Sequence, residues 1–149
     1  MQMVHDFTFR ATLKPPLEIG TVPTGTRVYY EVAEGEVEGE RLNGRLLGGG
    51  EWALIGPDGF LRVDVRLQGM TDDGAAFYVQ YGGLLEMNDK VLTAIGSGGG
   101  TEYEDQAFHT NPRFETGDER YGWLNNTVFV GEGRMRPNLG VEYRVWRPQ

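Results

Sequence analysis

The chain of 149 residues has no cysteine, which excludes disulfide staples and thiolate metal sites. It has no apolar run near the ~18–20 residues that a membrane-spanning helix needs. Positive charge is scarce, with 14 Lys and Arg against 22 Asp and Glu and a net charge of −8. A nucleic-acid or anionic-membrane partner needs clustered cations, so neither is expected. Histidine occurs only at positions 5 and 109. His109 with Glu115 would supply at most two metal ligands, so no metal is expected. A nucleophile elbow of the Gly-x-Ser-x-Gly kind is missing, and the glycine-rich stretch at 96–100 lacks the Lys-Ser/Thr of a phosphate loop. No cofactor is therefore expected. The first ten residues lack the basic start and apolar stretch of a signal peptide, which points to a cytoplasmic protein beginning near Met1.

Glycine is abundant. The 23 present are about twice the usual share of roughly 7%, and they are scattered without period, as turns and bulges are. Period-2 alternation recurs and helical periodicity does not. Phe7, Phe9, Ala11 and Leu13 share one face of a strand that Pro15 and Pro16 stop. Further strands are expected over 26–38, 41–47, 51–55, 60–68, 75–86, 107–116, 121–134 and 141–147. Gly48 to Gly50 should end the third strand, and Gly35 marks a bulge in the second. Turns are signalled by Pro57-Asp58-Gly59 and Asp72-Asp73-Gly74. One helical turn fits 88–95, and 95–101 reads as a mobile loop or a lid over a barrel mouth. About nine strands joined by short turns predict an all-β fold: one domain over 1–149, an antiparallel closed or nearly closed barrel of 8–9 strands.

Several segments carry a resemblance. Gly-Gly-Gly-Glu-Trp at 48–52, Asp-Val-Arg at 64–66 and Thr-Asp-Asp-Gly-Ala at 71–75 are followed by Tyr78-Val79. Pro-Arg-Phe-Glu-Thr at 112–116, Tyr-Gly-Trp-Leu-Asn at 121–125 and Phe-Val-Gly-Glu-Gly at 129–133 complete the set. In this order the chain resembles, from about Phe7 to Arg147, the family known as domain of unknown function 3237. That resemblance implies a lipocalin-like barrel with a pocket. It also implies an Asp at the place of Glu51, so here the acid is kept and its reach is longer.

A barrel of about eight strands has room for its own side chains or one small ligand. If the Leu61–Leu67 face packs outward, Asp64 and Arg66 point in. Asp64 and Glu115 are then candidates for general acid and base, and Arg66 for holding a carboxylate or stabilising an enolate. Tyr78, Tyr121 and Asn125 would hydrogen-bond a ligand, while Trp52 and Trp123 would stack on a flat ring. The competing reading makes Asp64, Arg66 and Glu115 a buried ion network that fixes strand register. Three functions follow, in order: a binder of a small, partly aromatic or carboxylated molecule; a cofactor-free hydratase, lyase or isomerase using interior carboxylates; and an interaction protein with a filled barrel. A homodimer is compatible with all three, because the Phe7–Phe9 and Leu61–Leu67 faces offer more apolar surface than one interior is expected to hold.

Overall fold

The computed structural model describes all residues, 1–149. Ten strands, β1 (Met3–Leu13), β2 (Leu17–Val22), β3 (Gly25–Gly39), β4 (Gly44–Ile55), β5 (Phe60–Thr71), β6 (Ala76–Glu86), β7 (Phe108–Thr110), β8 (Arg113–Glu115), β9 (Val130–Arg136) and β10 (Gly140–Pro148), form one antiparallel sheet. Its order β1-β10-β9-β7-β6-β5-β4-β3 is closed by pairing of β3 back onto β1, from Phe7↔Gly39 to Leu13↔Val32. The result is an eight-stranded barrel. The two remaining strands attach outside this ring: β2 takes the first half of β3 where β1 stops at the prolines, and β8 pairs with β6.

The interior is set by the strands with one clean apolar face. Phe7, Phe9 and Ala11 of β1 point in, as do Leu61, Val63, Val65 and Leu67 of β5; Phe7 and Leu67 have no exposed surface. Both faces fit inside one barrel, so the apolar surplus that motivated a homodimer does not exist. The face of β5 is the reverse of the one that would turn Asp64 and Arg66 inward. Burying four aliphatic side chains at roughly 1.5–3 kcal/mol each outweighs anything that enclosing a carboxylate and a guanidinium would return.

The two ends of the barrel are filled differently. At one end Phe7, Phe77, Phe114 and Phe129 pack against each other, with the Phe7–Phe114 rings edge-on at 5.5 Å and 90°. Leu124, from a kinked 3-10 segment at Glu119–Asn126, is buried with them. The other end carries the helix α1 (Asp89–Ser97), whose Val91 and Ala94 are buried. Asn88 caps it by accepting from the Val91 amide at 3.0 Å.

Four local expectations change. The helix runs a full nine residues, and Gly98 at φ 71° is its left-handed cap, so the glycine-rich stretch is the helix end rather than a free loop. Residues 121–126 are 3-10, not strand: Asp118 caps the segment and Gly122 and the Asn pair interrupt any alternation. Pro112, which marks 107–116 as an edge or bulged segment, goes further and splits it into β7 and β8, because it cannot donate to the ladder. Finally, Gly48–Gly50 do not end a strand. They lie inside β4.

Candidate functional site

That interior glycine run decides what the barrel contains. Leu46 faces inward opposite Gly69, and the β4–β5 register slips by one residue between Leu46 and Gly48. Gly48 and Gly49 have φ of 148° and 121°, a conformation that side chains rarely adopt. A Cβ on Gly49 would stand 2.2 Å from the Arg66 carbonyl oxygen. The slip is a bulge, and it reverses which residues of β4 face the core. Without it Trp52 would point in and Glu51 out. With it Glu51 and the fully buried Ala53 point in, while Trp52 stands 41% exposed against Tyr29 at 5.1 Å.

Glu51 opens on a cavity of about 60 Å³, room for a few water molecules. The walls come from all eight strands of the ring and α1, and fifteen of the seventeen lining residues are hydrophobic, tyrosines among them. The hydrogen-bonding side chains are Glu51, Tyr30, Tyr81 and Tyr143; no lysine, arginine or histidine lines it. Leu13, Ile95, Met135 and Leu139, all partly exposed, surround the cavity toward the α1 end. Cross-strand pairing sets Tyr30, Glu51, Val65 and Tyr81 in one row across β3, β4, β5 and β6. Tyr143 of β10 meets Tyr81 across the interior, with ring centroids 5.4 Å apart and planes at 72°.

Burial raises the Glu51 carboxyl to about 7, and the charge of Asp64 behind the sheet adds to the shift. No hydrogen bond or cation offsets it. Burial likewise holds the Tyr81 phenol far above its ordinary range, reinforced by Glu51. Tyr143 is raised well above 10 by burial, then by Tyr81 and Glu51. Both phenols are thus fixed as neutral hydroxyls beside an acid that changes charge near neutrality.

The residues singled out from sequence do not assemble there. Asp64 and Arg66 are exposed on the outer face of β5. Glu115 is exposed on β8, opposite Tyr78 of β6, and both line an open surface cleft with Asn125. Asp64, Arg66 and Glu115 form no ion pair, so they are not a buried network either. Tyr121 donates to Asp73 at 2.8 Å, and Asn125 clasps the Thr116 backbone with both ends of its amide. Trp123 lies under the Arg41 guanidinium at 3.7 Å. His109 pairs with Leu84, six residues along β6 from the partner of Glu115, which is roughly 20 Å away.

The buried charges are elsewhere and are satisfied. Glu142 is 3% exposed on the outward side of β10. It accepts from Arg10 at 2.6 Å, Tyr103 at 2.7 Å, and Arg134 and Arg136 at 2.8 Å. Burial alone would raise its carboxyl; the hydrogen bonds from Tyr103, Arg10 and Arg136 prevail and hold it near 2. Asp6 is bracketed by Arg41 and Arg147 in the same way. Glu51, which keeps some exposed surface, is the carboxyl that faces the interior without a partner. The signal that marks it in the sequence is a lone acid after three glycines, followed by the apolar run Trp-Ala-Leu-Ile.

Comparison with known proteins gives relatives over the full length. The family model described as "Protein of unknown function (DUF3237)" matches residues 1–148. A UPF0311 protein of Clostridium acetobutylicum is 32% identical over 126 residues, 83% of this chain and 80% of that protein. A UPF0311 protein of Rhodopseudomonas palustris is 32% identical over 132 residues, 88% and 86%. Among solved structures, that of a Rhodopseudomonas palustris protein of unknown function superposes with a TM-score of 0.89 at 30% identity, covering 98% of this chain and 96% of that one. A β-barrel-like protein of Acinetobacter baumannii gives 0.81 at 30% identity, covering 98% and 94%. A protein described as an enzyme from Penicillium herquei gives 0.71 at 22% identity over 99% and 94%, a likeness of fold.

Proposed function

Since the chain belongs to the family of proteins of unknown function DUF3237, we propose that its working site is the hollow end of the barrel, where a small neutral organic molecule binds with its polar group toward Glu51, Tyr81 and Tyr143. The observation that carries this reading is Glu51. A carboxyl without donor or cation partner costs stability in an apolar enclosure. An unpaired titratable side chain that lines an apolar cavity is a mark of a functional site. The cavity walls supply apolar contact, and the three polar side chains fix orientation.

The chemistry of the walls restricts the ligand. A carboxylated molecule would meet Glu51 with no cation to receive it, because Arg66 points outward. The ligand is therefore neutral, with a carbonyl or hydroxyl group. The cavity of about 60 Å³ limits the ligand to a small molecule, and the flexible Met135 side chain among its walls can adjust to it. The surface tryptophans play no part in the site.

Binding is tested by NMR titration of the protein with cyclopentanone and with cyclopentanecarboxylate. The ketone should shift the methyl signals of Val63, Val65 and Leu85, and the carboxylate should not. Val63→Phe, which fills the cavity from β5, should remove the response. Shifts confined to the outer face around Tyr78 and Glu115 would move the site to the surface cleft.

A further inference from the structure

We propose that this site moves a proton at the carbon next to a ketone carbonyl, with Glu51 as the base and Tyr81 and Tyr143 as the donors that hold the oxygen. The inference rests on the interior being a ligand site and adds to it a reaction and a substrate class, small neutral enolisable ketones.

The arrangement argues for this chemistry over others. Among the lining side chains there is no serine, threonine, lysine or histidine, so an activated hydroxyl or amine for acyl transfer or Schiff-base formation is absent. Glu51 and Tyr81 lie two strands apart in one inward row, roughly 10 Å between backbones by strand spacing. The residue between them is Val65, a short side chain. The gap above Val65 suits a carbonyl directed at Tyr81 and Tyr143 with its neighbouring carbon directed at Glu51. Neutral phenols in a dry site are effective donors to a developing oxyanion. A carboxyl paired with phenols in an apolar cavity divides the roles of base and electrophile between them.

The step balances without a co-reactant. The Glu51 carboxylate takes the proton of the α-carbon, and the C–H bond pair becomes the C=C bond. The former C=O π pair moves onto oxygen, where Tyr81 and Tyr143 donate to it. Return of the proton from Glu51 to the same carbon restores the ketone. Its return to the far carbon of a β,γ-unsaturated ketone yields the conjugated isomer.

Cyclopentanone in D2O with the full chain at neutral pD provides the test, followed by loss of the α-proton signal in 1H NMR, with binding read separately from the methyl shifts. Exchange at least ~100-fold above buffer is expected, the low end for a positioned acid–base group. It should vanish in Glu51→Gln, and fall in Tyr81→Phe and Tyr143→Phe. The wild-type rate should rise with pH to a plateau with a midpoint near 7, a readout that does not depend on any variant folding. Binding without exchange above buffer, or exchange that is flat with pH or unchanged in Glu51→Gln, overturns the proton-transfer inference and leaves the pocket standing. Absence of binding overturns the pocket and this inference together.

Discussion

Glu51 and Asp64 lie on neighbouring strands and face opposite sides of the same wall: Glu51 pairs with Val65, so Asp64 is one residue from its partner and turned outward. The outer carboxylate repels charge on the inner one. Asp64→Asn should therefore lower the Glu51 pKa from about 7 toward its ordinary value. It should leave the cavity unchanged. The measurement is the 13C chemical shift of the Glu51 carboxyl against pH in both proteins. An unchanged midpoint would show that burial alone sets it.

The same carboxyl leaves a mark on stability. The Glu51 pKa is 4.5 in an open chain and about 7 in the barrel. Below 4.5 it is neutral in both states and contributes nothing. Between 4.5 and 7 the folded form holds more protons than the unfolded one, so stability falls as pH rises. Above 7 the loss levels off at about 3 kcal/mol. Glu51→Gln should match the wild type at pH 4 and exceed it by up to that amount at pH 8, in urea melts at both values.

Glu142 acts in the opposite sense. Its carboxyl is held near 2 in the folded state, so its contribution is present above the ordinary carboxylate range and fades as pH falls toward 2. Glu142→Gln leaves Arg10, Arg134 and Arg136 without their shared acceptor. A loss of about 3 kcal/mol at pH 7 is expected, the lower figure for breaking a buried pair because the arginines are partly exposed. The deficit should shrink on acidification, as seen in thermal melts from pH 7 to pH 3.

Gly49 is the residue least able to change. An alanine there would place its Cβ against the Arg66 carbonyl in a backbone conformation foreign to side chains. Gly49→Ala should cost about 2–4 kcal/mol. Gly59, also at positive φ but with open space around it, should cost less. A comparison of the two variants by chemical denaturation separates backbone strain from collision.

The barrel was legible wherever a strand has one apolar face and one polar face. β1 and β5 alternate without interruption, and their interior residues follow directly once the apolar side is taken inward. Taking the Leu61–Leu67 side as outward exchanged the interior for its neighbours, which is the cost of a side-chain period of two. Glu51 was hidden for a different reason. Three glycines carry no alternation, so nothing in their identity tells how many residues the bulge inserts, and the parity of everything after them depends on that count. Residues 121–126 of the 3-10 segment read as strand because Tyr121, Trp123 and Asn125 sit at alternate positions. The contacts of Tyr121 with Asp73 and of Trp123 with Arg41 are long-range, and that of Asn125 with Thr116 spans nine residues; no local alternation announces any of them.

Four phenylalanines pack one end of the barrel, and the unfilled space lies at the other. A single strand such as β6 therefore runs from a rigid anchor at Phe77 to a permissive wall at Tyr81 and Leu85. Close-packed aromatics resist substitution, whereas residues around a void lose few contacts when exchanged. Under the proposed function the anchor supplies packing and the wall supplies recognition. A lineage built on this plan can revise its wall one residue at a time, and with it the proposed recognition, while the anchor keeps each intermediate folded.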